Sequence, residues 1–382
     1  MKRIGFPLAG RAGSNENSAD ARPGGADVST LALAKSLVGA GYEPVILLHI
    51  DGPMAAYVRE MGLKCVVVGI PVFDKRKPIA DENVQYLRDE ATRIGELLTE
   101  NGIAIVHTND ASMHRAWGHL AQFITFKHFW HERGLFQHPA ASVEHLKKAT
   151  EVLTISSYVA GRAPEDIAER VRVIDNPIAV TIPVDKQNDR VWLRKLLNVP
   201  AESLVFVMVA NENLRKRWEI FMEAGAKAAV QRSDMHFCTI GLTKKDYLRD
   251  LMKLWPEECL KQMHHLGYRY DAPRIISGAD VLVATAKQEP LGRTVVEAAL
   301  VETPVMAAKS GGFIEMFDSI APDYLVSPDN VNTFAKRFIN VEEFIGESQD
   351  SLNSIKISFS EKFDLDRHLA EMVGIYRKYI DF

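Results

Sequence analysis

The sequence predicts an α/β protein built from two Rossmann-like domains, each with a parallel sheet, that face one another across a central cleft. Strand-like apolar runs alternate with segments of helical periodicity along the chain, a pattern typical of βαβ units. The 382 residues are too many for one ordinary hydrophobic core. A segment with two prolines, residues 176–186, interrupts the alternation and is the predicted linker.

The first half contains six predicted strands and four predicted helices. The strands are apolar runs, and the helices carry apolar residues at helical spacing. The predicted strands are residues 3–7, 43–49, 64–68, 103–107, 123–129 and 151–155, and the predicted helices are residues 27–40, 54–61, 82–101 and 113–122.

The same alternation restarts after the linker. Strands are predicted at residues 204–209, 235–240, 263–266, 279–284 and 304–308, and helices at residues 218–231, 245–255 and 293–300. This half ends near residues 332–345, and a final amphipathic helix is expected over residues 364–379. The predicted domains are therefore residues 1–183 and 184–360, followed by a C-terminal helical segment, residues 361–382.

Composition favours a soluble, reduced, cytoplasmic protein. The chain is 47% hydrophobic and 25% charged with a net charge of −4, which gives no general attraction to nucleic acid. Its three cysteines lack zinc-ligand spacing. The first ten residues are interrupted by Pro7 and Gly10, so we expect a first strand rather than a signal peptide, and no apolar run reaches the length of a membrane span.

Two carboxylates flank a predicted strand-to-helix junction. Glu289 follows the strand at its carboxyl end, where open α/β sheets bind ligands. Glu297 lies in the helix that follows, about 12 Å away if all eight steps were helical. We expect the two groups to bind different parts of an extended ligand rather than to form one acid/base pair.

Glycines and cations occur in other loops at predicted strand ends. Gly24 and Gly25 precede the first helix, where glycines permit positive φ and close approach of a ligand to backbone amides. GxGxxG and GxxxxGK[ST] are both absent, and a glycine pair is also a common turn. The run Arg215-Lys216-Arg217 at a helix start indicates a nearby anion, although a solvated basic turn explains it as well. Successive small residues around Gly311-Gly312 predict exposed amide donors.

Two histidines are placed near strand ends in the first half. His107 is predicted to end a strand and His131 to follow the next one, so both would project into the same crevice. Either imidazole alone is more often part of a buried hydrogen-bond network. No metal is expected, since the second histidine of HExxH does not follow His131-Glu132.

The motifs together resemble those of the GT-B glycosyltransferases, and within them the retaining family 4 with its glycosyl transferases group 1 domain. The resemblance covers nearly the whole chain. The matching segments are Gly24-Gly25-Ala26, Asn176-Pro177-Ile178, Leu266-Gly267-Tyr268, Gly278-Ala279-Asp280-Val281, Glu289-Pro290-Leu291-Gly292, Val296-Glu297-Ala298, Thr303-Pro304-Val305 and Gly311-Gly312 through Glu315.

The resemblance implies a donor site in the second domain. Glu289 would bind hydroxyls of the donor sugar, Glu297 the ribose hydroxyls, and Lys216 the pyrophosphate. Asn211 stands where the family usually has an arginine, so Arg215 or Arg217 would supply the second cation. Backbone amides at the helix start would add donors, from Leu291, Gly292 and Arg293.

In the first domain the resemblance places His131 over the sugar, and Gly24 and Gly25 under the phosphates and acceptor. The acceptor or sugar side would include His107, Asn109 and Arg133. The final helix would return to the first domain. Pro290 and Leu291 replace the common Gly and Phe, and Glu302 replaces a glycine, which bears on the shape of the sugar pocket.

The implied activity is transfer of a hexose-type sugar, with retention, from a UDP- or GDP-sugar and without a cofactor. The acceptor would be a glycan, a lipid-linked molecule or a small molecule. A peripheral contact at the inner face of a membrane is suggested only by Lys75-Arg76-Lys77 beside Val72 and Phe73, a run that a solvated turn also explains. The alternatives are a non-catalytic sugar-nucleotide or glycan-binding scaffold and a GT-B sugar-nucleotide epimerase.

Overall fold

The computed structural model describes residues 2–10, 24–74, 79–136, 143–180 and 182–380. The chain divides into two compact units: a first unit of Met1–Pro177 with Leu365–Phe382, and a second unit of Ile178–Asp364. The first boundary therefore follows Pro177 rather than residue 183, and the C-terminal segment of the first unit begins at Leu365 rather than at residue 361. Most of the glycine-containing loop before Gly24 and the basic run at residues 75–77 lie outside the described residues.

The first unit contains, within the described ranges, a seven-stranded parallel sheet in the order β3-β2-β1-β4-β5-β6-β7. Its strands are β1 (Lys2–Leu8), β2 (Tyr42–Leu48), β3 (Lys64–Val67), β4 (Ile103–Thr108), β5 (Lys127–Glu132), β6 (Glu151–Thr154) and β7 (Val171–Val173). Its helices begin with α1 (Gly25–Gly39), α2 (Pro53–Glu60), α3 (Asp81–Glu100), α4 (Ala111–Leu120), α5 (Val143–Lys148) and α6 (Ser157–Ala160).

The second unit contains, again among the described residues, a six-stranded parallel sheet in the order β10-β9-β8-β11-β12-β13. The strands are β8 (Leu204–Val209), β9 (Met235–Ile240), β10 (Met263–His265), β11 (Val281–Ala284), β12 (Val305–Ala308) and β13 (Leu325–Val326). The helices are α7 (Lys186–Leu197), α8 (Trp218–Gln231), α9 (Lys245–Met252), α10 (Ala272–Gly278), α11 (Arg293–Leu300), α12 (Gly312–Phe317), α13 (Val331–Ile339) and α14 (Val341–Lys362).

The central strands of both sheets are buried on both faces. Ile4, Phe6 and Leu8 of β1 pack in one cluster with residues of α1 and α2, while Val45 and Leu47 of β2 belong to a second cluster on the opposite face. Two-sided burial is why these strands read as continuous apolar runs rather than as alternating ones.

The C-terminal helix α15 (Leu365–Ile380) belongs to the first unit. Its apolar side, including Met372 and Tyr376, is buried in the same core cluster as α1 and β1. The amphipathic pattern of residues 364–379 therefore reports a helix that covers the sheet of the first unit.

Two further boundaries differ from the prediction: the start of the fifth strand and the end of the second half. Residues 123–126 form turns after α4, where the amides of Phe123 and Ile124 donate to the carbonyl of Leu120, and β5 starts only at Lys127. Ile124 and Phe126 pack on the core from these turns, so their apolar character reflects burial and not strand structure. The segment at residues 332–345 spans parts of two helices, α13 and α14, which meet at Asn340.

Among the described residues, no helix is long and apolar enough to cross a membrane.

Candidate active site

The strand order of the second unit reverses between β8 and β11, and the loops that follow these two strands meet there. Ligands of open α/β sheets bind at the carboxyl ends of strands at such a switch point. The loop after β8 carries Arg215 and Lys216 in a short 3₁₀ turn, and the loop after β11 carries Glu289. The fold therefore brings together cations and a carboxylate that are more than seventy residues apart in sequence.

Lys216 and Glu289 form an ion pair in which the Nζ–Oε2 distance is 2.8 Å. Arg215 Nε lies 3.9 Å from the same carboxylate oxygen. Glu289 is 6% exposed, and burial alone would raise its pKa, but the charges of Lys216 and Arg215 outweigh burial and hold the pKa below its ordinary value. Glu289 is thus a buried carboxylate kept ionised by two cations.

Backbone contacts hold the cationic turn against the end of β11. The hydroxyl of Thr285 donates to the carbonyls of Lys216, at 2.8 Å, and of Arg217, at 3.0 Å. The amide of Lys287 donates to the carbonyl of Arg215 at 2.9 Å. These bonds hold the backbone of the turn that carries Lys216 against the strand that leads to Glu289.

Gly311 and Gly312 support the backbone around Glu289. Gly311 has φ of +65°, and a Cβ there would lie 2.5 Å from the carbonyl oxygen of Glu289. The amide of Gly312 donates to that same carbonyl at 2.7 Å. The prediction that this glycine pair leaves its amides bare is therefore wrong for Gly312, because the close packing of the two loops uses its amide internally.

Glu297 occupies the second turn of α11, whose first residue is Arg293. The side chain of Glu297 is 17% exposed, and Arg293 Nη2 lies 3.9 Å from its Oε1. Burial raises the pKa of Glu297, although the nearby Arg293 opposes the shift. Leu291 is buried, and Gly292 caps the helix with φ of +98°, where a Cβ would lie 2.4 Å from the ring of Phe313.

Arg217 is not brought to Glu289. Its guanidinium donates to the carbonyl of Thr285 at 2.9 Å, to the carboxylate of Asp329 at 2.9 Å and to the carbonyl of Pro328. Of the two arginines predicted as a second cation, Arg215 lies near the Glu289 carboxylate, whereas Arg217 is bonded to the loop before α13.

In the first unit, His107 and His131 lie side by side on adjacent strands. His131 was expected to follow its strand, but it lies within β5, because that strand begins four residues later than predicted and ends at Glu132. Both imidazoles are fully buried and stacked, with centroids 5.4 Å apart and planes inclined by 10°. Burial, reinforced by Arg133, keeps the pKa of each well below its ordinary value, so both are neutral.

Arg133 connects the predicted polar residues of this unit. Its Nε donates to Asn109 Oδ1 at 2.8 Å, its Nη1 donates to Asn176 Oδ1, and its Nη2 lies 3.5 Å from His131 Nδ1. Asn176 in turn donates to the hydroxyl of Ser29 in α1 at 3.1 Å. The structure therefore gathers His107, Asn109, His131 and Arg133 into one buried network.

Gly24 and Gly25 begin α1, and both are exposed. Gly24 has φ of −72° rather than a positive value, and its amide donates to the Asp27 carboxylate at 2.9 Å. Gly24 therefore does not use the positive φ that glycine permits, because it precedes the helix in an extended conformation.

Sequence reasoning missed several residues of these networks. Thr285 carried no signal beyond its place at a strand end. Asn176 was noted only within a matching segment at the predicted linker, and Tyr376 lay within the predicted final helix without being singled out. Their roles depend on contacts between distant segments of the chain, and the periodicity of apolar residues does not report such contacts.

Two family profiles match the chain. Residues 23–181 match Glycosyltransferase Family 4, and residues 192–352 match Glycosyl transferases group 1. The chain is 21% identical to an uncharacterised glycosyltransferase of Methanocaldococcus jannaschii, over 93% of this chain and 94% of that protein.

Solved structures with the same fold cover nearly the full chain. A glycosyltransferase from Rickettsia africae is 15% identical with a TM-score of 0.79, and the match covers 99% of this chain and 98% of that one. HepE of Anabaena, solved with UDP and glucose, is 19% identical with a TM-score of 0.77, covering 98% and 99% of the two chains. Sucrose-phosphate synthase from Thermosynechococcus elongatus is 16% identical with a TM-score of 0.73, covering 99% of each.

Proposed function

Because the chain belongs to the GT-B glycosyltransferases of family 4, we propose that it transfers a hexose-type sugar, with retention, from a nucleoside-diphosphate donor to an acceptor. The observation that carries the proposal is the 2.8 Å contact between Lys216 Nζ and the buried carboxylate of Glu289 at the switch point of the second sheet. Lys216 can bind a diphosphate through its positive charge, and the ionised carboxylate of Glu289 can accept hydrogen bonds from sugar hydroxyls.

The donor diphosphate binds at the cationic turn after β8. Lys216 leaves its contact with Glu289 to bind the phosphates, and Arg215, 3.9 Å from the same carboxylate, supplies a second positive charge. The start of α11 adds backbone amides from Leu291, Gly292 and Arg293, which favour an anion at a helix N-terminus. These groups stabilise the charge that develops on the departing diphosphate.

The two glutamates bind different parts of the donor. Glu289, released from Lys216, accepts hydrogen bonds from sugar hydroxyls. Glu297, in the second turn of α11, accepts from the two ribose hydroxyls, and the raised pKa caused by its burial is lowered again by the hydrogen bonds that the ligand donates.

Retention is proposed to proceed by departure and attack on the same face of the sugar. Glu289 is assigned to hold sugar hydroxyls, and it is not assigned as the nucleophile that attacks the sugar. The departing diphosphate oxygen then serves as the base that takes the proton of the acceptor hydroxyl, so that no covalent sugar–enzyme intermediate forms.

The first unit is assigned the acceptor side. His131 contacts the transferred sugar, and Gly24 and Gly25 belong to the acceptor and phosphate loop, as the family resemblance implies. We propose a glycan, a lipid-linked molecule or a small molecule as acceptor, used at the cytoplasmic face of a membrane in the lipid-linked case. The proposed donor is a UDP- or GDP-sugar, and the structure of HepE with UDP and glucose supports the uridine case. No cofactor is proposed.

A thermal-shift screen of the full chain with UDP-, GDP- and ADP-sugars tests the donor class, because stabilisation increases with occupancy. Transfer with the stabilising donor is then followed by NMR of the product's anomeric configuration. An inverted product rules out the retaining mechanism. Conversion of the donor without an acceptor identifies an epimerase, and stabilisation without transfer to a broad acceptor panel identifies a non-catalytic sugar-nucleotide-binding protein.

A further inference from the structure

A chain of buried polar contacts links the C-terminal helix α15 to His131. The hydroxyl of Tyr376 lies 2.5 Å from His107 Nδ1, and His107 Nε2 lies 3.3 Å from His131 Nδ1. All three side chains are fully buried. A hydroxyl on α15 thus reaches a residue of β5 through one imidazole of β4.

The chemistry of Tyr376 and Arg133, at the two ends of this series of contacts, decides which atoms donate the hydrogen bonds. Burial raises the pKa of Tyr376 well above its ordinary value, so the phenol stays protonated and can donate a hydrogen bond to His107 Nδ1. At the other end, a guanidinium only donates, and Arg133 Nη2 lies 3.5 Å from His131 Nδ1. His131 Nδ1 is therefore an acceptor.

Only one arrangement of protons satisfies both ends. Tyr376 donates to His107 Nδ1, which places the proton of the neutral His107 imidazole on Nε2. His107 Nε2 then donates to His131 Nδ1, which places the proton of His131 on Nε2. The contact with Arg133 is long, and Arg133 has closer bonds to Asn109 and Asn176, so His107 is the nearer donor to His131.

His131 Nε2 has no hydrogen-bond partner among the described residues, although it is buried. An unsatisfied buried donor costs free energy that a ligand acceptor would recover. Because the atom is also shielded from solvent, a neighbouring group would have to move before a ligand oxygen could reach it. The arrangement of the network leaves this atom able to donate a hydrogen bond and unable to accept one.

We propose that Tyr376 is a positioning residue that acts through His107 to hold His131 as a neutral imidazole with its proton on Nε2, so that His131 donates a hydrogen bond to an oxygen of the transferred sugar. The identity of that ligand rests on the proposed function, whereas the tautomer can be measured without any transfer reaction. His131 accordingly takes no part in proton transfer as an acid or a base.

The tautomers can be measured in the full chain labelled with ¹⁵N-histidine, by long-range ¹H–¹⁵N correlation at pH 7. The signals of His131 are assigned by their loss in His131→Gln. We expect His107 and His131 both to carry their protons on Nε2 in the wild type. An imidazolium at His131, or a proton on its Nδ1, would overturn the proposal.

Tyr376→Phe removes only the hydroxyl, and we expect it to populate the Nδ1-protonated form of His107 and to reduce the Nε2-protonated fraction of His131. The matched control is Tyr379→Phe on the same helix. Its ring also packs on Phe129, with centroids 5.4 Å apart, but its hydroxyl donates to Glu151 at 2.7 Å and makes no contact with His107. Histidine spectra that are the same in the two variants would contradict the role of Tyr376.

The transfer rate provides a second readout. We expect Tyr376→Phe to lower kcat roughly 2- to 10-fold, as befits one lost neutral hydrogen bond, and Tyr379→Phe to leave it unchanged. His131→Gln, whose amide nitrogen can occupy the place of Nε2, should retain more activity than His131→Asn. Equal loss in these two variants would show that donation from Nε2 is not what matters. If no variant transfers sugar while the spectra are as expected, the proposed function fails and the tautomer assignment stands.

Discussion

Replacing Lys216 with alanine removes the cation nearest to Glu289 and leaves a buried carboxylate behind. The Nζ–Oε2 distance is 2.8 Å, and the side chains are 21% and 7% exposed. Arg215, at 3.9 Å, becomes the nearest remaining cation. The variant should therefore destabilise the second unit even in the absence of any ligand.

The size of the effect follows from these distances. At an effective dielectric constant of about 20, unit charges 2.8 Å apart attract by about 6 kcal/mol and charges 3.9 Å apart by about 4 kcal/mol, before desolvation is subtracted. Breaking a fully buried pair costs about 3–5 kcal/mol, and one charged hydrogen bond about 1.5–3 kcal/mol. Because Arg215 remains, we expect Lys216→Ala to cost about 3 kcal/mol at pH 7.

The pH dependence separates this cause from a general loss of packing. In the wild type the pKa of Glu289 lies below its ordinary value of 4.5, so this group contributes stability above pH 4.5 that is lost as the pH falls through the lower, folded-state pKa. Without Lys216, burial raises the pKa of Glu289, so the variant regains stability as the carboxylate is protonated. The stability difference between the two proteins should be largest at pH 7 and shrink toward pH 4.

The assay is hydrogen exchange of the amides of β8 and β9 in increasing urea, which reports on the second unit alone. Lys356→Ala is the matched control, because Lys356 pairs with Glu302 at 3.0 Å but both side chains are 42% exposed. Such a surface pair contributes about 0–1 kcal/mol. A cost for Lys216→Ala that equals the control, or that does not change between pH 7 and pH 4, would refute the reasoning.

Glu297→Ala should weaken binding of UDP or GDP by about 1.5–3 kcal/mol in calorimetry, as expected for a lost charged hydrogen bond, and unchanged affinity for both would remove Glu297 from the donor site. Glu297→Gln should be more stable relative to wild type at pH 8 than at pH 5 in the same exchange assay, since burial raises the pKa of Glu297 and its ionised form costs stability above that pKa. Gly311→Ala should destabilise the second unit by about 2 kcal/mol or more, because its φ of +65° and the carbonyl of Glu289 leave no place for a Cβ. Gly346→Ala, in α14 with nothing within 4 Å of the new Cβ, should instead stabilise by up to about 1 kcal/mol.

The alternation of strands and helices was predictable because both sheets are parallel and covered on both faces. Buried parallel strands read as short apolar runs, and most of the predicted runs lie within two residues of an observed strand. The apolar run at residues 123–126 was wrongly predicted as a strand. Turns can also bury apolar side chains, and Ile124 and Phe126 are examples. Periodicity alone does not separate the two cases.

The sequence singled out Glu289 and Glu297 by their spacing and Lys216 by its place before α8. The structure brings Lys216 and Glu289 together, and the role of Glu297 in binding a donor stays a prediction. That Arg215 rather than Arg217 faces Glu289 depends on the backbone of the turn, in which Arg217 adopts φ of +52° and directs its guanidinium to Asp329. Arg215 and Arg217 therefore differ in the groups that they contact, although they are two residues apart.

The amino-acid sequence by itself determined the fold class, the two-unit organisation and the loops that carry charge, because these depend on local apolar patterning and on motifs within a few residues of one another. Only the tertiary structure decided which charges pair and which nitrogen of His131 carries the proton. Those outcomes depend on burial and on contacts between segments as distant as β4 and α15, where Tyr376 meets His107. A side chain's charge and hydrogen-bonding state are properties of its surroundings, and folding creates those surroundings.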